Sequence, residues 1–504
     1  VPIWHGYEGD NVRIAFQGID SASPLGTLLQ KNAAPAAKVL SNRRAASAAS
    51  SWKRVVSHTQ LRWWGDDRPT HGNDETAEIY VDCFGTVDPF GSRNAEVWRI
   101  VNGAGEAILH PFCSLERCGR SPYVESIYLL RNGGDGWRIL EQAHISNRRW
   151  YRHLLDDIAR VAAHLVGRAL RSPDRANGVD WDKPFAGASR SRINIGIGRL
   201  GAALRQASTI FYETAWDEYW AVATAESDVN ALMESPILRT NRWIEPASRS
   251  NFYADPFPSP ELESVVLCEK YDFRKRTGVL CALTLGNGKA TSEVRLDLQG
   301  GIGHLSYPYA FQEDGRTYLL PEMAAAGKLL LFELDSSTAA RPLCTVDTGT
   351  AIADPTLFRH EDRYWIAYCD QRFGSHNNLC FLFSDKLRGP WKHHPLNPVK
   401  IDIRSSRPGG TPFSINGELF RPAQDCSKTY GGAVAINRIR TCTPDAYEEE
   451  TVAVLRPNPR SPFPDGLHTV SMRGNLVLFD GKRLFFRPAR LLSRAKAWLR
   501  RCVS

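Results

Sequence analysis

The chain has 504 residues, 42% of them hydrophobic and 23% charged, and a formal net charge of +8. That length and balance describe a folded protein of about two to four domains. They exclude a transmembrane helix, since no run of about 18 apolar residues occurs, and no motif supports nucleic-acid binding behind the modest positive charge. The eleven cysteines are scattered, with no Cys-x-x-Cys pair and no Cys/His set at zinc spacing. They read as reduced thiols of a cytoplasmic protein, with no metal and no cofactor expected. The stretch Val1-Pro2-Ile3-Trp4-His5 lacks the basic and apolar regions of a signal peptide.

In chain order, residues 1–76 are weakly patterned, and the Ala/Ser-rich stretch 33–51 has few large apolar residues. Strands are expected at 77–82, 96–100 and 124–129. Over 149–171, Trp150, Leu154, Ile158, Val161, Leu165 and Leu170 recur at helical spacing. Residues 1–171 therefore read as an α/β domain. Residues 172–215, opening on a Pro/Gly/Asp/Ser-rich run, read as a linker with a short helix near 199–212.

From 216 to 487 the pattern changes to short strands and turns. Five segments share one plan, a small or aromatic opening motif, an apolar strand, a polar turn and a second apolar strand. They open at Asp255, Tyr307, Asp354, Gly410 and Leu467, spaced 52, 47, 56 and 57 residues apart. Several short strands per repeat at such intervals predict an all-β five-bladed β-propeller. The last stretch, 488–504, reads as a basic amphipathic helix with Leu491, Leu492, Ala495, Trp498 and Leu499 on one face. Such a helix suits an anionic membrane surface, here the inner face.

In a propeller the first strand of each blade lines the axis, so the opening residues converge at one end. They supply Asp255, His304, Tyr307, Asp354, Arg407 and His468. Carboxylates gathered in a cleft push one another's pKa values apart, which separates an acid from a base. His304 and Tyr307 are candidate partners for sugar hydroxyls. Trp365 and Trp391 suit blade packing better than stacking on a sugar.

The motifs Tyr253-Ala-Asp-Pro-Phe257, His304-Leu-Ser-Tyr-Pro-Tyr309, Ala353-Asp-Pro-Thr356, Ser406-Arg-Pro-Gly-Gly410, Arg421-Pro-Ala-Gln-Asp425 and Tyr430-Gly431 come in one order. Together they resemble the propeller module in the N-terminal half of plant glucosamine inositolphosphorylceramide transferases. The fold implied is that of glycoside hydrolase family 43, whose blade-opening Asp-Pro motifs are similar to those at Asp255 and Asp354. In those hydrolases a Glu opening the fourth blade is the general acid; Arg407 stands in its place here. The resemblance thus implies a carbohydrate-active protein, with Asp255 and Asp354 catalytic and Arg407, joined by Arg421, holding a sugar phosphate. Glu322 and Asp425 are candidate displaced acids for a hydrolase. With Glu269 they end the second strand of their segments, and are expected near the opposite end of the blade. A non-catalytic glycan-binding scaffold is the third reading. The first domain is similar, more weakly, to the C-terminal part of a sugar formyltransferase, through Val81-Asp-Cys-Phe-Gly85 and Glu96-Val-Trp-Arg99. It lacks the Asn-x-His-Pro stretch that formyl transfer uses, which makes it a degenerate scaffold.

Overall fold

A computed structural model describes residues 13–17, 27–28, 31, 38–40, 79–82, 96–109, 123–132, 136–147, 151–171 and 179–185. It also describes isolated positions between 200 and 211, and 215–486 apart from 241, 287–288 and 337. The expected helix at 488–504 lies outside the described residues, as do most of the Ala/Ser-rich stretch, of which 38–40 are described, and most of the short helix near 199–212. The chain divides into two compact units, Val1–Thr209 and Ile210–Ser504. No described helix is long and apolar enough to cross a membrane.

The first unit contains a six-stranded mixed sheet. Its spatial order is Lys38–Leu40, Arg13–Gln17, Ile79–Asp82, Glu96–Asn102, Val124–Asn132 and Trp137–Ser146. The first four strands pair in parallel and the last two antiparallel. One long helix, Tyr151–Arg171, packs against the last two strands and buries Leu154, Ile158, Val161 and Leu165 at the predicted spacing. The strand–helix alternation expected of an α/β domain is not evident among the described residues. Part of the expected linker docks instead: Trp181 donates its backbone N–H to Trp137 O at 2.8 Å and packs on Tyr128.

The second unit is five sheets arranged as blades, antiparallel except where Asp297–Leu298 pairs in parallel with Ala339–Val346. The inner strands of the first four are Asn251–Pro258, Ser306–Glu313, Ile352–His360 and Phe413–Ile415, each hairpinned to the next strand. The fifth blade takes its two inner strands, Val470–Arg473 and Leu476–Phe486, from the end of the described chain. Its third and fourth, Trp216–Glu226 and Arg242–Ile244, come from the unit's beginning. Trp216–Glu226 pairs with Leu476–Phe486 over eleven residue pairs, which joins the two ends of the module in one sheet. Apolar clusters bridge every neighbouring pair of blades around the ring: Phe257, Tyr309 and Leu357 across blades one to three; Trp365, Phe381 and Ile439 across three and four; Phe420, Val434 and Val477 across four and five; Val222, Val266 and Leu478 across five and one. Trp365 is buried in this packing.

One local device repeats on three inner strands. Ala254 opposes Glu269 and Phe257 opposes Leu267, so three steps on the inner strand meet two on its partner. The same shift occurs between Ser306 and Tyr309 and between Ala353 and Thr356. Each is a β-bulge of one extra residue. The residue inside it, Asp255, Tyr307 or Asp354, adopts φ of 51°, 50° or 51° and precedes a proline. Left-handed backbone at a non-glycine residue costs about 1–2 kcal/mol. The bulge turns these three side chains out of the strand's alternation and into the hydrogen-bonded cluster between blades.

Candidate functional site

Asp255, Tyr307 and Asp354 meet in that cluster. Asp255 Oδ1 accepts from Thr469 Oγ1 at 2.8 Å, and its Oδ2 accepts from the Tyr307 backbone N–H at 3.2 Å. His468 Nε2 lies 3.3 Å from Asp255 Oδ1, and its Nδ1 makes an ion-pair contact of 2.5 Å with Asp480 Oδ2. Asp480 is fixed in turn by backbone N–H groups of Asp255, His468 and Thr469. The result is a chain of three buried groups, Asp480, His468 and Asp255. Burial pushes the Asp255 carboxyl up to about 6. His468 lowers it, while Asp354 and Asp480 push it up further. Burial opposes a charge on His468, but Asp480 and Asp255 together raise it above its ordinary value. These three groups offer ligand atoms within 4.8 Å of one another. With Asp480 already accepting three N–H bonds, the arrangement is a buried Asp–His–Asp cluster held at ion-pair distances.

Asp354 sits in a different setting. Its carboxylate receives Arg407 in bidentate fashion and the Gln424 amide at 2.7 Å. Arg407 Nη1 also donates to Ser375 O at 2.9 Å and His376 Nδ1 at 2.8 Å, and the guanidinium lies over the Tyr430 ring. Four hydrogen bonds therefore absorb most of the guanidinium's donors. Glu322 Oε2 accepts the Asp354 N–H at 2.9 Å. Burial and the Asp354 charge push Glu322 up to about 8, against a lowering by Arg407.

The structure places the remaining sequence candidates as follows. Glu269 and Glu322 do not lie at the far end of their blades: the second strand returns antiparallel, so Glu269 pairs with Ala254 and Glu322 with Ser306, beside the bulges. Asp425 is next to that level but caps a turn, accepting from Ser427 N at 2.9 Å. Tyr307 is fully buried and is no surface for sugar hydroxyls. Its hydroxyl bonds Thr356 Oγ1 and the Gly410 N–H at 2.9 and 2.8 Å, tying blades two, three and four together. Arg421 is also consumed internally, by Glu449, Tyr447 and the carbonyls of Ser405 and Ser406. There it braces the loop that carries Arg407. His304 stays about one-third exposed, with Nε2 3.7 Å from Glu269 Oε1. His468 lies at the centre of the cluster.

Sequence reasoning missed Asp480, Gln424, Tyr430 and Lys482. Asp480 and Gln424 occupy the second-strand position of Glu269 and Glu322, so aligning the repeats on that strand finds them. Lys482 is fully buried, with Nζ on Glu218, Thr429 and the Tyr430 carbonyl and over the Trp220 ring. Trp220, Tyr430 and His468 pack ring against ring beside it.

Gly278 leaves the space that Glu269 fills. A Cβ there would overlap Glu269 Oε1 and lie 2.6 Å from Leu305 O, which is backbone and does not yield. Gly278→Ala is expected to lower stability by about 1–3 kcal/mol, read from urea unfolding, and to displace the Glu269 carboxyl.

Residues 217–460 match the family described as Glucosamine inositolphosphorylceramide transferase 1, N-terminal. The match falls on the propeller, the part of the chain whose short motifs carry that resemblance. The chain is 28% identical over 225 residues to Glucosamine inositolphosphorylceramide transferase 1 of Arabidopsis thaliana, covering 43% of this chain and 29% of that protein. It is 30% identical over 231 residues to the protein of the same name from Oryza sativa subsp. indica, covering 43% and 30%. The matched part thus spans about 30% of the length of these relatives. Among solved structures, the catalytic domain of the Coprinopsis cinerea GH62 alpha-L-arabinofuranosidase aligns with a TM-score of 0.35 at 11% identity, covering 53% of this chain and 98% of that one. The GH43 beta-xylosidase/alpha-arabinofuranosidase CoXyl43, from a compost microbial metagenome, aligns at 0.33 and 13% identity, covering 49% and 94%.

Proposed function

We propose that the axial end of the propeller handles a carbohydrate in glycosyl transfer, with Asp255 as the group that takes the proton of the acceptor hydroxyl. The observation that carries this reading is the Asp480–His468–Asp255 cluster, in which Asp255 is raised to about 6. A carboxylate so tuned is ionised at neutral pH yet more basic than a surface aspartate, as general-base catalysis favours. As the acceptor oxygen bonds to the sugar's anomeric carbon, the bond from that carbon to the donor's leaving group breaks with its electron pair on the leaving group, and the acceptor's proton passes to Asp255, beside His468. The relatives' name suggests the substrate class, an amino sugar and an inositol phosphate headgroup.

Arg407 enters this reading as the group that positions Asp354. A phosphate-holding role would require it to leave a bidentate, buried partner. Cytoplasmic placement, and attachment to an anionic membrane face through 488–504, belong to the same proposal and rest on the sequence.

A non-catalytic glycan-binding module is the second reading, favoured by the low exposure of the cluster: Asp255 5%, Asp354 3% and Arg407 7%. A screen of glycans and sugar nucleotides against the wild type and Asp255→Asn separates the two. Transfer predicts a product that falls by about 10²–10⁴-fold in the variant while binding persists. Binding without turnover in either protein leaves the scaffold. Free sugar formed without an acceptor indicates hydrolysis.

A further inference from the structure

The second strands carry a set of hydrogen-bond acceptors that reach forward to the next blade. Asp480 of blade five accepts the Asp255 N–H of blade one, and Glu322 of blade two accepts the Asp354 N–H of blade three. By the same geometry Glu269 of blade one would take the Tyr307 N–H of blade two. That donor goes to Asp255 Oδ2 instead. Glu269 is left 6% exposed, and its Oε1 has no hydrogen-bond partner.

A buried carboxylate with an oxygen that no hydrogen bond reaches is disfavoured as the anion, whereas a neutral carboxylic acid tolerates the same place. The groups facing Glu269 all press the same way. Burial comes first, then the charges of Asp255, Glu322, Asp354 and Asp480, and together they hold it well above the usual carboxyl range. Tyr271, beside it, is a neutral phenol raised by burial and by Glu269 itself. His304 is the imidazole beside it, with Nε2 3.7 Å from Oε1. Its Nδ1 accepts the Gly278 N–H at 2.7 Å, so the ring's proton sits on Nε2, and burial lowers its basicity.

We propose that Glu269 is the proton donor of the axial site, a neutral carboxylic acid that protonates the leaving oxygen of a glycosidic donor bound beside Asp255. The inference rests on the carbohydrate reading above and narrows its donor class. As the bond from the anomeric carbon to the leaving oxygen breaks, the electron pair stays on that oxygen and the Glu269 proton joins it. The carboxylate regains a proton from water after the product departs. A diphosphate leaving group needs cations rather than a proton, and Arg407, Arg421 and Lys482 are each committed to internal acceptors. Glu322 is less suited to the role, since it is engaged with Asp354. His304, whose Nδ1 accepts the Gly278 N–H, stands beside the acid as a neutral ring.

The probes are phenyl and 2,4-dinitrophenyl glucosaminides, both anomers, with the full chain. A phenoxide departs slowly unless protonated, while a dinitrophenoxide departs unaided. Glu269→Gln is expected to lose about 100-fold or more on the phenyl glycosides and to stay within a few-fold of wild type on the dinitrophenyl ones. Equal losses on both, or none on either, overturn the assignment. A wild type inactive on every probe overturns the glycosidic donor class. Carboxyl-carbon NMR of Glu-labelled protein gives a readout independent of turnover: the resonance missing in Glu269→Gln should be that of a neutral acid at pH 7 and should move toward ionisation in His304→Lys. An ionised Glu269 at pH 7 overturns the proposal even if sugars are bound.

Discussion

Arg407→Ala is expected to destabilise the protein by about 3–5 kcal/mol, the loss typical of breaking one side of a buried ion pair. Asp354 is 3% exposed and would lose its bidentate cation, keeping the Gln424 amide as a donor with Glu322 beside it. Ser375 O and His376 Nδ1 would each lose the hydrogen bond they accept from Arg407. Urea unfolding of the single variants Arg407→Ala and Asp354→Leu and the double variant measures the coupling. Because removing both charges leaves neither buried without its partner, the double variant should recover part of the single-variant loss. A guanidinium held free for a phosphate would behave in the opposite way, with stability unchanged and ligand affinity lost. Arg407→Ala thus decides between the phosphate role read from the sequence and the structural pairing seen in the fold.

The repeat was legible because each blade carries its own hairpin, and a hairpin is a local pattern of apolar runs and turn residues. The opening positions at 255, 307, 354, 410 and 467 fall on or beside the inner strands of all five blades. Closure was not legible. Trp216–Glu226 finds its partner in Leu476–Phe486 about the whole module away, and nothing local to either strand marks the pairing. The Asp-Pro motifs marked where the blades open, but not that each lies inside its inner strand as a bulge. Glu269 and Glu322 were displaced to the wrong end of the blade by counting residues along the chain. An antiparallel hairpin brings its end back to its beginning, so those fourteen-odd residues amount to almost no distance along the axis. Arg407 was found, but its partner was not, because a cation in sequence carries no record of which buried carboxylate it meets. Tyr307 shows the reverse error: a hydroxyl at a site position looked like a ligand contact, while its bonds to Thr356 and Gly410 make it a tie between blades.

The same desolvated carboxyls fix how stability should vary with pH. Asp255 is raised from 3.8 to about 6 and Glu322 from 4.5 to about 8, in both cases first by burial. Each holds its proton more tightly folded than unfolded, so the unfolded chain releases protons first as pH rises. Folding then weakens with rising pH, between about 4 and 6 for Asp255 and between about 4.5 and 8 for Glu322. His468, raised by Asp480 and Asp255 against the effect of burial, adds stability below its unfolded pKa that is lost as pH climbs through the folded one. The Arg421–Glu449–Lys400 network acts on the acid side. Burial would raise Glu449, but Arg421 and Lys400 hold it down at about 2, so its contribution is complete above about 4.5 and lost as pH falls toward 2. Denaturant unfolding from pH 3 to 9 should therefore show a maximum in the region of pH 4–5 and a decline through pH 8. Asp255→Asn should flatten the part of that decline below pH 6, and Glu322→Gln the part extending to 8. Glu449→Gln should remove the acid limb and lower stability throughout the neutral range. A profile that instead rises from pH 5 to 8 would mean that the axial carboxyls are stabilised as anions, which the geometry at Glu269 and Glu322 does not allow.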